Sequence, residues 1–416
     1  MKQFYSFFVI ALFSVITISA QQKKILFIGN SYTGANNLPN LVNQMATSTG
    51  IDLMVDSHTP GGTRLMNHAA SAQTLAKINA DQWDFVVLQA QSQEPSWGIA
   101  QVEEEVFPYA TTLCDQIREN NACSIPVFYT TWGRENGDAS NCPFVPEVCT
   151  FEGMNNQLID RYTTMANDNE GYISPVAVVW ANIRENHPEI DLYTGDGSHP
   201  TLSGSYLAAC TFYTIFFQED PTEITFNSSL ETETTTIIKN AVKEIVFDDL
   251  ENWNVNAYDP IANFVFTQNE NEITLTNTSG LSETYSWDFG DGSEISTEEN
   301  PVHTYTEAGT YTITLTAEKC GAENEKTLEV TISESLNVEV QEIKNIRIFP
   351  TVVEDKISII GNINGKQISI HNSIGKLVKE AAFQKEISLK ELTQGIYFIN
   401  ILDKNGEVLK FKILKK

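Results

Sequence analysis

The stretch whose reading decides the fold is Lys24–Thr33, KILFIGNSYT. Ile25–Ile28 is a continuous apolar run, long enough for a strand buried on both faces, and it ends in a small polar turn that carries Ser31. The same alternation then recurs. Leu53–Ser57, Asp84–Gln89 and Pro126–Thr131 read as further strands, with Val176–Trp180 as the fifth. Between them Leu38–Thr49, Met66–Ile78, Val102–Glu119 and Asn155–Asn167 have helical spacing, and Leu202–Phe217 is a long apolar helix. Buried strands separated by helices predict a doubly wound parallel α/β sheet of three layers, flavodoxin-like, over residues 21–250. Ligands on such sheets bind at the carboxyl ends of the strands. Ser31, Gly61 and Gln91 each fall just after a strand.

The rest of the chain divides by composition. With 416 residues, 41% hydrophobic and 10% aromatic, it is a globular chain of more than one domain. Lys2, the apolar run Phe4–Ile18 and Ser19–Ala20 form the pattern of a signal peptide over 1–20, and no later stretch is apolar enough for a transmembrane segment. The net charge of −28 is uneven: residues 1–343 carry −34 and the remainder +6. So acidic a body argues against nucleic acid as a partner. In an exported chain the six cysteines suit disulfides, with Cys142–Cys149 and Cys114–Cys123 the closest-spaced candidates. A metal at Cys142 and Cys149 lacks a neighbouring His or CxxC, so neither a metal nor another cofactor is expected.

Residues 258–334 hold short alternating strands, Ile273–Asn277, Thr284–Phe289 and Thr310–Ala317, between turn signals at Asp291-Gly292 and Ala308-Gly309. That is the pattern of an immunoglobulin-like β-sandwich. YSWDFGDGS at 285–293 and HTYTEAGTYTITLTA at 303–317 resemble the two hallmark stretches of PKD domains, which implies a spacer or contacting module. Asp288, Asp291 and Glu294 could bind calcium or form a solvated acidic turn. A polar linker, 335–345, leads to a small β-domain at 346–416, with a hairpin signal at Asn405-Gly406. From IRIFP to FKILKK this tail is similar to the C-terminal sorting domain of type IX secretion cargo, although Phe349-Pro350-Thr351-Val352 departs from the family's usual opening. The resemblance implies the type IX secretion machinery as a partner and a secreted or cell-surface location.

Within 21–200 four blocks resemble the SGNH/GDSL hydrolases: Gly29-Asn30-Ser31-Tyr32-Thr33, Pro60-Gly61-Gly62-Thr63, Leu88-Gln89-Ala90-Gln91-Ser92 and Asp196-Gly197-Ser198-His199-Pro200. Asn30 stands where the family has Asp, and Gln91 where it has Asn. The chemistry suits these residue types. A serine hydroxyl needs a base to take its proton, His199 is that base, and Asp196 orients it. The oxyanion requires donors, for which Ser31 N–H, Gly61 N–H and the Gln91 amide are the candidates, with Gln89 and Gly62 as rivals. Each residue alone has a bland reading: a lone Ser after a strand is usually a helix cap, and His68 a packing residue. Trp132 and Arg134, after the fourth strand, could contact substrate or simply shape a loop. The resemblance implies a serine esterase acting through an acyl-enzyme, with an acylated, often acetylated, carbohydrate as substrate. The alternatives are a lipase or lysophospholipase on the same fold, or a non-catalytic glycan-binding or adhesion protein.

Overall fold

A computed structural model describes residues 22–333, 346–361 and 363–416. The expected signal peptide, 1–20, and linker, 335–345, lie outside the described residues. Two compact units emerge, one reaching to Ser333 and one from Glu334 onward.

The first unit opens with five strands: β1 Lys23–Ile28, β2 Leu53–His58, β3 Phe85–Leu88, β4 Ile125–Tyr129 and β5 Tyr172–Ser174. They form one wholly parallel sheet in the order β2-β1-β3-β4-β5. The period of two along β1 sends Ile25 and Phe27 to one face and Leu26 and Ile28 to the other, all fully buried. Helices Leu38–Ser48, Leu202–Phe217 and Thr232–Ile245 cover the first face, and Phe107–Asn120 and Phe151–Asp168 the second. The three-layer expectation therefore holds.

One expected strand differs in the structure. Val176–Trp180 is not the fifth strand but the start of a helix, Val176–Asn186. The run is apolar because both the sheet and neighbouring helices bury it, and such a run has the same composition in either geometry. Pro175, at the N-cap, marks the helix start. The real fifth strand is the preceding Tyr172–Ser174.

Residues 264–332 form a sandwich of two three-stranded antiparallel sheets around Trp287, Ile313 and Leu315. The closer pairing expected of Cys114 and Cys123 is overturned. Cys114 is free and buried on the inner face of helix Phe107–Asn120, whereas Cys123 joins Cys320 of the sandwich across 5.3 Å between Cα atoms. Cys142 and Cys149 are joined. In the second unit, a three-stranded sheet accompanies a five-stranded one, with an isoleucine-rich core that includes Ile357, Ile370, Ile399 and Ile413. The expected hairpin turns at Asn405-Gly406, where Gly406 has φ +90°.

Candidate active site

β1 ends in a turn in which Ser31 opens a single helical turn, Ser31–Gly34. Asn30 caps it, its Oδ1 accepting from Tyr32 N at 3.1 Å. Its Nδ2 donates to Thr63 O at 3.2 Å, linking the serine turn to the glycine block. A carboxylate could make the first bond and not the second, which accounts for the departure to Asn.

Under this turn lies Gln89, fully buried. Its Oε1 accepts from Asn30 N and from Thr33 Oγ1, both at 2.9 Å, while its amide donates to Ala90 O. Its oxygen is committed to holding the serine turn and its amide bonds within its own loop, which makes Gln89 a buttress of that turn. His68 is a second buttress. It is buried, donating from Nε2 to Gly29 O at 2.9 Å, with Nδ1 facing Thr74 Oγ1 at 2.9 Å. Burial lowers its pKa below the ordinary value and keeps the ring neutral. Replacing Gln89 by leucine strands a buried N–H and a buried hydroxyl. We expect a loss of about 2–4 kcal/mol, read as a lower urea midpoint at unchanged slope.

The histidine loop is a closed turn. Thr194 N donates to His199 O at 2.8 Å, and Gly197, with φ +64°, lets the chain reverse. Asp196 Oδ1 accepts from Ser198 N and His199 N at 2.9 Å each and from Thr194 Oγ1 at 2.9 Å. Its Oδ2 meets His199 Nδ1 at 2.6 Å, and His199 Nε2 meets Ser31 Oγ at 2.9 Å. Partial desolvation raises the Asp196 carboxyl, but the hydrogen bonds from His199 and the backbone outweigh it and hold the group well below the usual carboxylate range.

Packing fixes this loop over the serine. Tyr32 stacks on Trp132, which stacks on Trp180 with ring centroids 3.7 Å apart. Trp132 Nε1 donates to Ser198 O at 3.0 Å, and the Tyr32 hydroxyl meets Ser198 Oγ at 2.5 Å. Gly204, on the helix that follows, lies so close to Trp180 that a Cβ would stand 2.6 Å from the ring. Trp132 is thus a buried wall that aims the histidine loop, not a surface for substrate.

Gly61 and Gln91 occupy neighbouring loops at the same sheet edge. Gly61 is exposed, and among the described residues its N–H has no internal acceptor. The Ser31 N–H is likewise without one. Gln91 anchors its Oε1 on Gln93 N at 2.8 Å, leaving its amide N–H groups only contacts of 3.5 Å to Ser92 and Gln93. Among the described residues, neither Gly61 nor Gln91 hydrogen-bonds Ser31 itself. What ties their loops together escaped the sequence reading. Glu94 is buried, pairs with Arg64 Nε and accepts from Gln91 N at 3.2 Å. Burial pushes its carboxyl up, against the lowering by Arg64. Arg64 also reaches Glu105 at 2.7 Å and lies over Trp97. An isolated Glu in the polar run QSQEPS carries no mark of burial.

Among the described residues, no group of three or more His, Cys, Asp or Glu is placed to hold a metal. Asp288 and Asp291 cap their own turn, bonding Gly290 N and Ser293 N, and Asp291 also meets His303 at 2.8 Å. None of the described helices is long and apolar enough to cross a membrane.

Residues 260–332 match the PKD domain model, and residues 347–416 match the secretion system C-terminal sorting domain. Among solved structures the chain is similar to a DUF4886 family protein from Bacteroides uniformis, at 18% identity over 54% of this chain and 95% of that one, with a TM-score of 0.46. It is also similar to a protein from Slackia heliotrinireducens, a proposed SGNH hydrolase, at 28% identity over 46% of this chain and 98% of that one, with a TM-score of 0.38. The PKD1 domain of Vibrio anguillarum Epp is 35% identical over 18% of this chain and 93% of that one, with a TM-score of 0.17. The N-terminal domain is a five-stranded parallel α/β domain whose four sequence blocks, similar to those of SGNH/GDSL hydrolases, gather at one edge of the sheet. The chain is an exported multidomain protein in which a parallel α/β domain is followed by a PKD domain and a type IX secretion sorting domain, destined for the cell surface or the extracellular space.

Proposed function

We propose that this chain is a serine esterase that cleaves carboxylic esters through an acyl-enzyme, its substrate an acylated, most often acetylated, carbohydrate. The observation that supports this reading is the unbroken run Asp196–His199–Ser31, at 2.6 and 2.9 Å. Ser31 Oγ attacks the acyl carbonyl as its proton passes to His199 Nε2. Asp196 holds the ring by Nδ1 and stabilises the imidazolium. The developing oxyanion takes the free N–H groups of Ser31 and Gly61 and the Gln91 amide, each worth about 3 kcal/mol in the transition state. Collapse expels the alcohol, protonated by His199. Water, deprotonated by the same ring, then releases the acid.

Two measurements test it. A fluorophosphonate is expected to phosphonylate Ser31 with loss of fluoride, adding the mass of the phosphonyl group to the peptide carrying Ser31 and to no other. Over a series of nitrophenyl esters, kcat/KM is expected to be highest for acetate. Labelling elsewhere would overturn the mechanism, and a preference for chains of eight carbons or more would move the substrate to lipids.

A further inference from the structure

The segment from Gly133 to Thr150 follows β4 at the catalytic edge and spans the loops that carry the site. At one end, Glu135 N donates to Gly197 O at 2.9 Å, and the Tyr193 hydroxyl donates to Gly133 O at 2.6 Å. In the middle, Gln93 Nε2 donates to Asp138 Oδ2 at 2.6 Å and to Ser140 Oγ at 3.2 Å, two residues beyond Gln91. Asp138 is fully buried and also accepts from Ser140 and Asn141. At the far end Cys142 and Cys149 close a short loop, and Asp138 N donates to Val148 O at 2.6 Å.

The tip of that loop is Pro143-Phe144-Val145-Pro146, and Phe144 is 83% exposed. Single exposed apolar residues are ordinary on protein surfaces. This one differs in two respects. It is the most exposed large apolar side chain among the described residues up to Ser333, the next being Ile295 at 62%. It is also held, by a disulfide, two prolines and the bond from Phe144 N to Asn141 O at 2.9 Å, so its exposure is built into the loop. A rigid aromatic offered to solvent loses little entropy when a ligand lands on it.

We propose that Phe144 is the stacking platform for the alcohol part of the substrate, a pyranose ring laid on it by its C–H face. The proposal rests on the esterase reading above. A lone flat ring on a convex tip suits a sugar better than an acyl chain, which needs a concave apolar channel. Glu135 and Glu147 on the same segment discourage anionic headgroups.

The test uses the full chain and an acetylated xylo-oligosaccharide. In calorimetry on the Ser31→Ala background, adding Phe144→Ala is expected to raise Kd about tenfold, in line with one lost stacking contact. Phe144→Trp and Phe144→Tyr should restore binding, whereas Phe144→Leu, apolar but not flat, should not. With Ser31 present, the same series should move KM and leave kcat in place. An unchanged Kd for Phe144→Ala, full rescue by leucine, or no binding to the Ser31→Ala parent overturns the platform. Failure of the wild-type chain to release acetate counts instead against the esterase reading, because the calorimetry needs no turnover.

Discussion

Replacing Ser31 by alanine is expected to lower kcat for 4-nitrophenyl acetate by four to six orders of magnitude, leaving only what binding and the oxyanion donors supply on their own. Melting temperature should hardly move. The Ser31 side chain is partly exposed and, among the described residues, its hydroxyl hydrogen-bonds only His199, so its loss opens no cavity and strands no buried group. Residual turnover should also lose its acyl-enzyme burst, since water would have to attack directly. Turnover within tenfold of wild type, by a protein freed of contaminating esterase, would remove Ser31 from the chemistry.

Asp196→Asn is expected to cost two to four orders of magnitude in kcat, with KM little altered. The asparagine can keep accepting from Ser198 N and His199 N through one oxygen. Its amide then faces His199 Nδ1 with a donor, favouring the tautomer in which Nε2 carries the proton and cannot accept from Ser31. The range sits below that for Ser31 because Asp196 is half exposed, and water can partly replace it. The pH profile separates orientation from general destabilisation. Because its pKa is depressed, Asp196 stays ionised as pH falls through the ordinary carboxylate range, and its contribution disappears only well below that range. The acid limb of kcat/KM in the wild type should therefore follow the base alone, with a slope of one. A slope of two, or an Asp196→Asn variant at wild-type rate, would contradict the assigned role.

How much of this was legible beforehand depends on whether a signal is local. β1 could be read from Ile25–Ile28 because a strand buried on both faces leaves an unbroken apolar run. Val176–Trp180 looked the same and became a helix, since burial from all sides erases the period that separates the two. Asp196, Ser198 and His199 act within one turn, so their spacing encodes their contact. Gln89 and Gln91 show where spacing fails. Gln89 N continues the ladder to Ile28 O at 2.9 Å and points its amide inward, whereas Gln91 lies past the strand's end. Two identical side chains two residues apart cannot be told apart until that end is known. Glu94, Arg64 and Trp132 join elements distant in sequence, and nothing near them announces it. The same holds for Cys123 and Cys320, 197 residues apart.

That last bridge has a consequence for where the PKD domain sits relative to Ser31. Lys23, Phe85, Ile125 and Tyr172, where β1, β3, β4 and β5 begin, line a cavity of about 340 Å³ together with Tyr258, Pro260 and Cys320. The PKD domain is thus fastened to the amino-terminal rim of the sheet, and Ser31 stands at the opposite rim. A domain of some 230 residues is roughly 40–50 Å across. A single strand of polysaccharide gripped by the PKD domain would have to wrap that distance before its esters reached the serine. Tethering on one strand therefore adds little to local ester concentration. On the esterase reading proposed above, a polymer strand bound at the PKD domain and an ester presented to Ser31 would therefore belong to different strands.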